Sequence, residues 1–296
     1  MEAAPLTLAD VASRGIRTDG DPSLPASLFL HGFSDSADGW RRVQRRLEAH
    51  GHRSLAVDQP SHGHAETLAT DRSAIDQFVE FAAAAATELG QGSPVVVVGN
   101  SLGGAHSLLL AQRHPDLVRG VVAISPAGFD HPRYFRVLDD DDRAGRRLRR
   151  LRERVDADAG EASTPNALQR TIGRAVAGNG IRLAAFGRPW RAPQGFVDEW
   201  RAQWRDPVRR SALRELVPRV RDEYLDESPF DLPSIRMPVL VLWGTEDRLV
   251  LVSSRTTLER ELPDVEFVEL PGIGHMPQLE SPGRTTKHLV RFARSL

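Results

Sequence analysis

Ser101 stands in Gly99-Asn100-Ser101-Leu102-Gly103-Gly104, between glycines that leave its backbone uncrowded. A serine hydroxyl is a weak nucleophile at neutral pH and attacks a carbonyl only beside a base. Two later motifs offer that base and a group to orient it. Gly244-Thr245-Glu246-Asp247 supplies a carboxylate, and Gly272-Ile273-Gly274-His275 supplies an imidazole. In the order Ser, Asp, His, these residues suit acyl transfer from an open parallel sheet. His275 takes the serine proton, and Asp247 fixes the imidazole's tautomer. Glu246, or Asp130 after the preceding core strand, is an alternative acid.

A bare Gly-x-Ser-x-Gly run carries little weight, since composition alone predicts about 0.1 per chain of this kind. Its flanks give it meaning. Val95-Val96-Val97-Val98 precedes it, a β-branched block suited to a strand buried on both faces. Ser107 to Arg113 follows as a helix that should stop near Pro115. The serine therefore lies on a tight strand-to-helix turn, beside amides free to bind an anion.

Similar blocks recur along the chain. Strands are expected at 26–30, 53–57, 95–98, 120–124, 238–243 and 265–270, with one or two short edge strands or coil before residue 25. Helices are expected at 41–50, 73–89, 253–262 and 284–294. This alternation predicts an α/β fold, a mostly parallel sheet with helices on both faces. His31, Asp58, Ser101, Asp247 and His275 all fall just after a predicted strand, at the sheet edge where such folds bind ligands. From about 130 to 233 the strand signal stops. Arg143–Val155 is strongly basic, and helical stretches at 167–176 and 194–204 suggest a helical insertion, with Phe196, Trp200 and Trp204 on one helix face.

Composition narrows the classes. The chain has 296 residues, a formal net charge of −1 and no cysteine. No global field draws it to nucleic acid or to a membrane. Disulfides and thiolate metal sites are excluded. The start, Met1-Glu2-Ala3-Ala4-Pro5, is not that of a signal peptide, and no apolar run reaches membrane-spanning length. The expectation is a cytoplasmic protein, a monomer or homodimer, acting on a small molecule without cofactor or metal. Asp58, His62 and His64 read as turn residues, and His106 as a packed or hydrogen-bonded histidine.

The motifs together resemble the α/β-hydrolase superfamily in its single-cap branch. The carriers are His31-Gly32-Phe33, Gly99 to Gly104, Gly244 to Asp247 and Gly274-His275-Met276-Pro277, with Asp58-Gln59-Pro60-Ser61-His62-Gly63 as a further turn. The resemblance implies a hydrolase core at 1–129 and 233–296 and a helical cap at 130–232. It implies that the backbone amides of Phe33 and Leu102 form the oxyanion hole. His31, Trp40, Trp190 and Met276 are candidate substrate contacts, His31 reading also as a brace for the oxyanion loop. A mostly apolar pocket reached by Phe33, Leu102, Met276 and the cap aromatics is expected. The implied activity is hydrolysis of a carboxylic ester, lactone or thioester. Alternatives are a C–C bond hydrolase using Arg188 or Arg191, a perhydrolase without cofactor, or a small-molecule receptor on the same fold.

Overall fold

The computed structural model describes residues 13–129, 180–226 and 228–296. Among the described residues seven strands form one sheet in the order β1-β3-β2-β4-β5-β6-β7. They are β1 (Gly15–Thr18), β2 (Ser27–Leu30), β3 (Ser54–Val57), β4 (Val95–Asn100), β5 (Val118–Ile124), β6 (Val239–Gly244) and β7 (Val265–Leu270). Only β1 runs antiparallel, against β3. The valine block is β4, at the centre, and all six of its residues are buried.

Helices α1 (Arg41–Glu48), α2 (Ala74–Gly90) and α3 (Leu102–Arg113) follow strands β2, β3 and β4. Between β5 and β6 lie α4 (Gln194–Arg205) and α5 (Pro207–Val220), continued by a π-helical turn at Arg221–Asp226. Helix α6 (Arg255–Glu261) follows β6, and α7 (Pro282–Ser295) closes the chain. The basic stretch 143–155 and the expected helix 167–176 lie outside the described residues. The π-turn was not legible in sequence, and α5 carries Pro218 within it, so propensity alone argues against its full length. Its start is well specified, because the Asp206 side chain accepts hydrogen bonds from the amides of Val208 and Arg209.

The sheet separates two apolar layers. On one side α2 and α3 pack through Phe78, Phe81, Leu108 and Leu109. On the other α1 and α7 pack through Val43, Leu47, Leu289 and Phe292. Trp40 belongs to this second layer, its ring centroid 4.8 Å from that of Phe29, and is fully buried. This corrects its expected role, since a tryptophan filling the core beneath the sheet cannot touch substrate.

The π-turn is fastened to the core. Glu223 accepts hydrogen bonds from Ser73 Oγ and from the amides of Ala74 and Ile75, the first residues of α2. A carboxylate there satisfies orphan amides and favours the helix dipole. Replacing Glu223 with Ala is expected to lower unfolding stability by about 1–2 kcal/mol, read as a reduced urea midpoint with an unchanged denaturant slope.

Candidate functional site

Ser101 links β4 to α3 at φ 56° and ψ −118°, a conformation a side chain adopts only under constraint. The constraint is close packing. A Cβ on Gly99 would lie 2.0 Å from the Gly103 carbonyl oxygen, and one on Gly103 would lie 2.2 Å from that of Leu30. Only glycines let the helix press so closely on β2 and β4. The turn is held by the Ser101 amide donating to Ile124 O at 2.9 Å. Its hydroxyl makes no hydrogen bond among the described residues and borders an open cavity.

His275 borders the same cavity. Its Nδ1 bonds Asp247 Oδ2 at 2.8 Å, both side chains being almost wholly buried. Asp247 in turn accepts from the amides of Leu249 and Val250 through Oδ1, which holds its carboxylate plane still. Nδ1 therefore carries a hydrogen for the carboxylate, leaving Nε2 as the basic nitrogen. Glu246 is half exposed and pairs with Arg248 instead. Asp130, the other alternative acid, lies outside the described residues.

The loop bearing His275 is tied to both neighbours. Asn100, beside the serine, donates through Nδ2 to the carbonyls of Ile124 and His275. The His275 amide donates to Ala185 O, and Glu280 accepts from the amides of Gly187, Arg188 and Gly274. One carboxylate thus joins the histidine loop to the segment between β5 and β6.

Gly32 and Phe33 approach Ser101 from β2. A Cβ on Gly32 would sit 3.1 Å from Ser101 Cβ. This loop is braced by a buried polar chain. The Gln59 amide donates to His31 Nε2, so the His31 proton resides on Nδ1, which donates to Gly32 O. Gln59 Nε2 donates to His31 O, leaving Gln59 Oε1 to accept from His106 Nδ1. His106 Nε2 then accepts from the hydroxyl of Tyr224 on the π-turn. Each buried group finds a partner in one consistent set of tautomers. His31 is thus fully buried, a brace and not a wall of the cavity, which corrects its reading as a substrate contact. Gln59 and Tyr224 escaped sequence reasoning, because neither type in isolation signals a network.

The cavity holds about 380 Å³. Its walls are mostly apolar, with Phe33, Phe196, Trp200, Leu249 and Met276 among them. Met276, a candidate substrate contact, lies among these walls. Trp200 adds a second contact, donating from Nε1 to Ser34 Oγ. Leu102 departs from the expectation, because its side chain points into the core while its amide opens α3. Trp190 is 77% exposed and borders a separate surface hollow. A residue so open to water has no packed site to complete, which corrects its candidacy. Arg188 and Arg191 do not line the cavity either. Asp58, expected as a turn residue, pairs with Arg14 and accepts from the amides of Ala37 and His64.

The comparisons with known proteins bear on this architecture. The model of the alpha/beta hydrolase fold matches residues 25–282. The chain belongs to that family. It is 27% identical to the monoacylglycerol lipase abhd6-B of Xenopus laevis, over 92% of this chain and 76% of that one. It is 27% identical to the 2-(acetamidomethylene)succinate hydrolase of Mesorhizobium japonicum, covering 90% and 87%. The structure of 2-hydroxy-6-oxo-6-phenylhexa-2,4-dienoate hydrolase from Rhodococcus superposes with a TM-score of 0.71 at 22% identity, covering 96% and 95%. Among the described residues this hydrolase has no helix long and apolar enough to cross a membrane.

Several buried groups near the site are held in unusual protonation states. Burial drives the His106 pKa well down and that of His62 to about 3. Burial also raises Asp35, on the loop after Phe33, to about 8. A buried neutral histidine opposes acid, because the unfolded chain gains its proton near pH 6.5. Asp35 acts oppositely, since above about pH 4 only the unfolded state has lost its proton. The urea midpoint is expected to fall as pH drops below about 6.5. In Asp35→Asn the midpoint should gain on the parent progressively from pH 4 to pH 8. Equal midpoints at both ends of that range would disprove the Asp35 assignment.

Proposed function

We propose that this hydrolase cleaves a carboxylic ester, lactone or thioester of small-to-medium apolar character through an acyl-enzyme on Ser101. The observation that carries the reading is Ser101 and His275 bordering one apolar cavity, with His275 backed by Asp247. With substrate bound, Ser101 Oγ attacks the acyl carbonyl as His275 Nε2 takes its proton. Asp247 stabilises the resulting imidazolium. The oxyanion is received by the amides of Phe33 and Leu102, each such donor contributing about 3 kcal/mol to the transition state. His275 then protonates the leaving alcohol, and water, activated by the same nitrogen, releases the acid. Hydroxyl and imidazole commonly tighten their contact only with substrate in place.

Residues 130–232 act in this reading as a cap, of which Phe196, Trp200 and the helical stretch 180–185 line the cavity beside the serine. The enzyme works without cofactor or metal, in the cytoplasm, as a monomer or homodimer. An uncharged ester is favoured over the diketone acids of C–C hydrolases because no arginine lines the cavity among the described residues. The lipase name carried by a relative supports the same choice.

Hydrolysis of p-nitrophenyl butyrate is expected, and Ser101→Ala should abolish it. Asp247→Asn should lower kcat by about 10³–10⁴-fold, since the imidazole loses its orienting partner. A ring-fission dienoate should be turned over far more slowly than the ester. Ester turnover that survives Ser101→Ala would overturn the proposal.

A further inference from the structure

The strongest feature outside the cavity is electrostatic. Helices α1 and α7 pack side by side. One carries Arg41, Arg42, Arg45 and Arg46, the other Arg284, Lys287, Arg291 and Arg294, with Glu48 the only acid in either segment. The whole chain, by contrast, is nearly balanced at −1. Arg41 and Arg45, Arg42 and Arg46, and Lys287 and Arg291 stand four residues apart, a spacing at which like charges oppose the helix.

Between them lies a cleft of about 500 Å³, lined by Arg46, His50, Lys287, Arg291 and Arg294. Arg291 is paired with Glu266 at the rim. Among the described residues, Arg46, Lys287 and Arg294 meet no carboxylate within ion-pair distance. Thr286 also lines the cleft, 3% exposed, with its Oγ1 buried and without a hydrogen-bond partner. The surroundings register the charge. His52 has a lowered pKa, from burial first and then from Arg294 and His50. In His288 burial again leads, and Arg291, Arg284 and Lys287 add to it while Glu266 opposes.

We propose that this cleft is a binding site for a phosphate-bearing anion, held by Arg46, Lys287 and Arg294, with Thr286 in its lining. Phosphate fits better than carboxylate, because its oxygens can engage two guanidinium forks and an ammonium at once. The ligand is not the substrate. The cleft reaches toward the loop before β3 and shares no residue with the serine cavity at the carboxyl ends of the strands. Its phosphate comes from a soluble phosphorylated metabolite or from a lipid headgroup.

Titration calorimetry of the full chain with inorganic pyrophosphate, at low salt, tests the site. Saturable binding is expected, weakened at least about tenfold by raising the salt to several hundred millimolar. It should weaken by a similar factor in the Arg46→Gln, Lys287→Gln, Arg294→Gln variant. These are exposed positions, so folding and turnover of p-nitrophenyl butyrate should be unchanged. Flotation with vesicles of phosphatidylcholine, with and without phosphatidic acid, separates the two sources. Capture only by the acidic vesicles would assign the headgroup, and pyrophosphate binding without capture would assign the soluble ligand. No response to either probe, or equal binding by parent and variant, would overturn the proposal.

Discussion

The close seating of α3 on the sheet governs the site. Its first turn meets β2 and β4 at a distance only glycine backbones allow, with Gly103 against Leu30 and Gly99 against Gly103. That contact forces Ser101 into a positive φ and leaves its hydroxyl at the sheet's rim. Everything else that faces the serine is placed relative to this turn. Asn100 extends it sideways to the histidine loop, and Gly32 abuts it from β2.

Burial of polar groups is the second organising fact. The line from Tyr224 through His106, Gln59 and His31 ends at the Gly32 carbonyl. Unpaired, such groups would be costly in the interior. Paired in a single tautomer set, they resist rearrangement and pin the loop that carries the Phe33 amide. Because Tyr224 belongs to the segment between β5 and β6, that segment and the oxyanion loop are mechanically joined. The aromatic stack of His106 on Phe78, at 4.2 Å, holds the middle of the line in place.

The same segment touches the site from several directions. Helix α4 reaches the loop after Phe33 through Trp200 and through Gln203, whose Nε2 donates to the carbonyls of Ser34 and Asp35. Glu280 fixes residues 187 and 188 to the histidine loop. The cavity is therefore bounded by elements hydrogen-bonded to the very loops that carry the polar groups, so its shape and their positions are set together.

The strand-to-helix turn, the order of serine, acid and histidine, and the alternation of strands and helices were legible in the chain alone. They rest on local chemistry: glycine at a crowded turn, β-branched runs in a buried sheet, and apolar spacing on a helix face. Trp40, His31 and Trp190 show where that reasoning stops. An aromatic or a histidine near a motif has the same sequence signature whether it ends in the core, in a hydrogen-bond chain or in water. The partnership of Gln59, His106 and Tyr224, which spans more than 160 residues of chain, arises only when β3, α3 and the π-turn pack together. The sequence determined which groups can react, because that depends on residue type and local turn. Tertiary structure decided which groups meet, because contacts between distant segments follow from packing and the satisfaction of buried polar atoms.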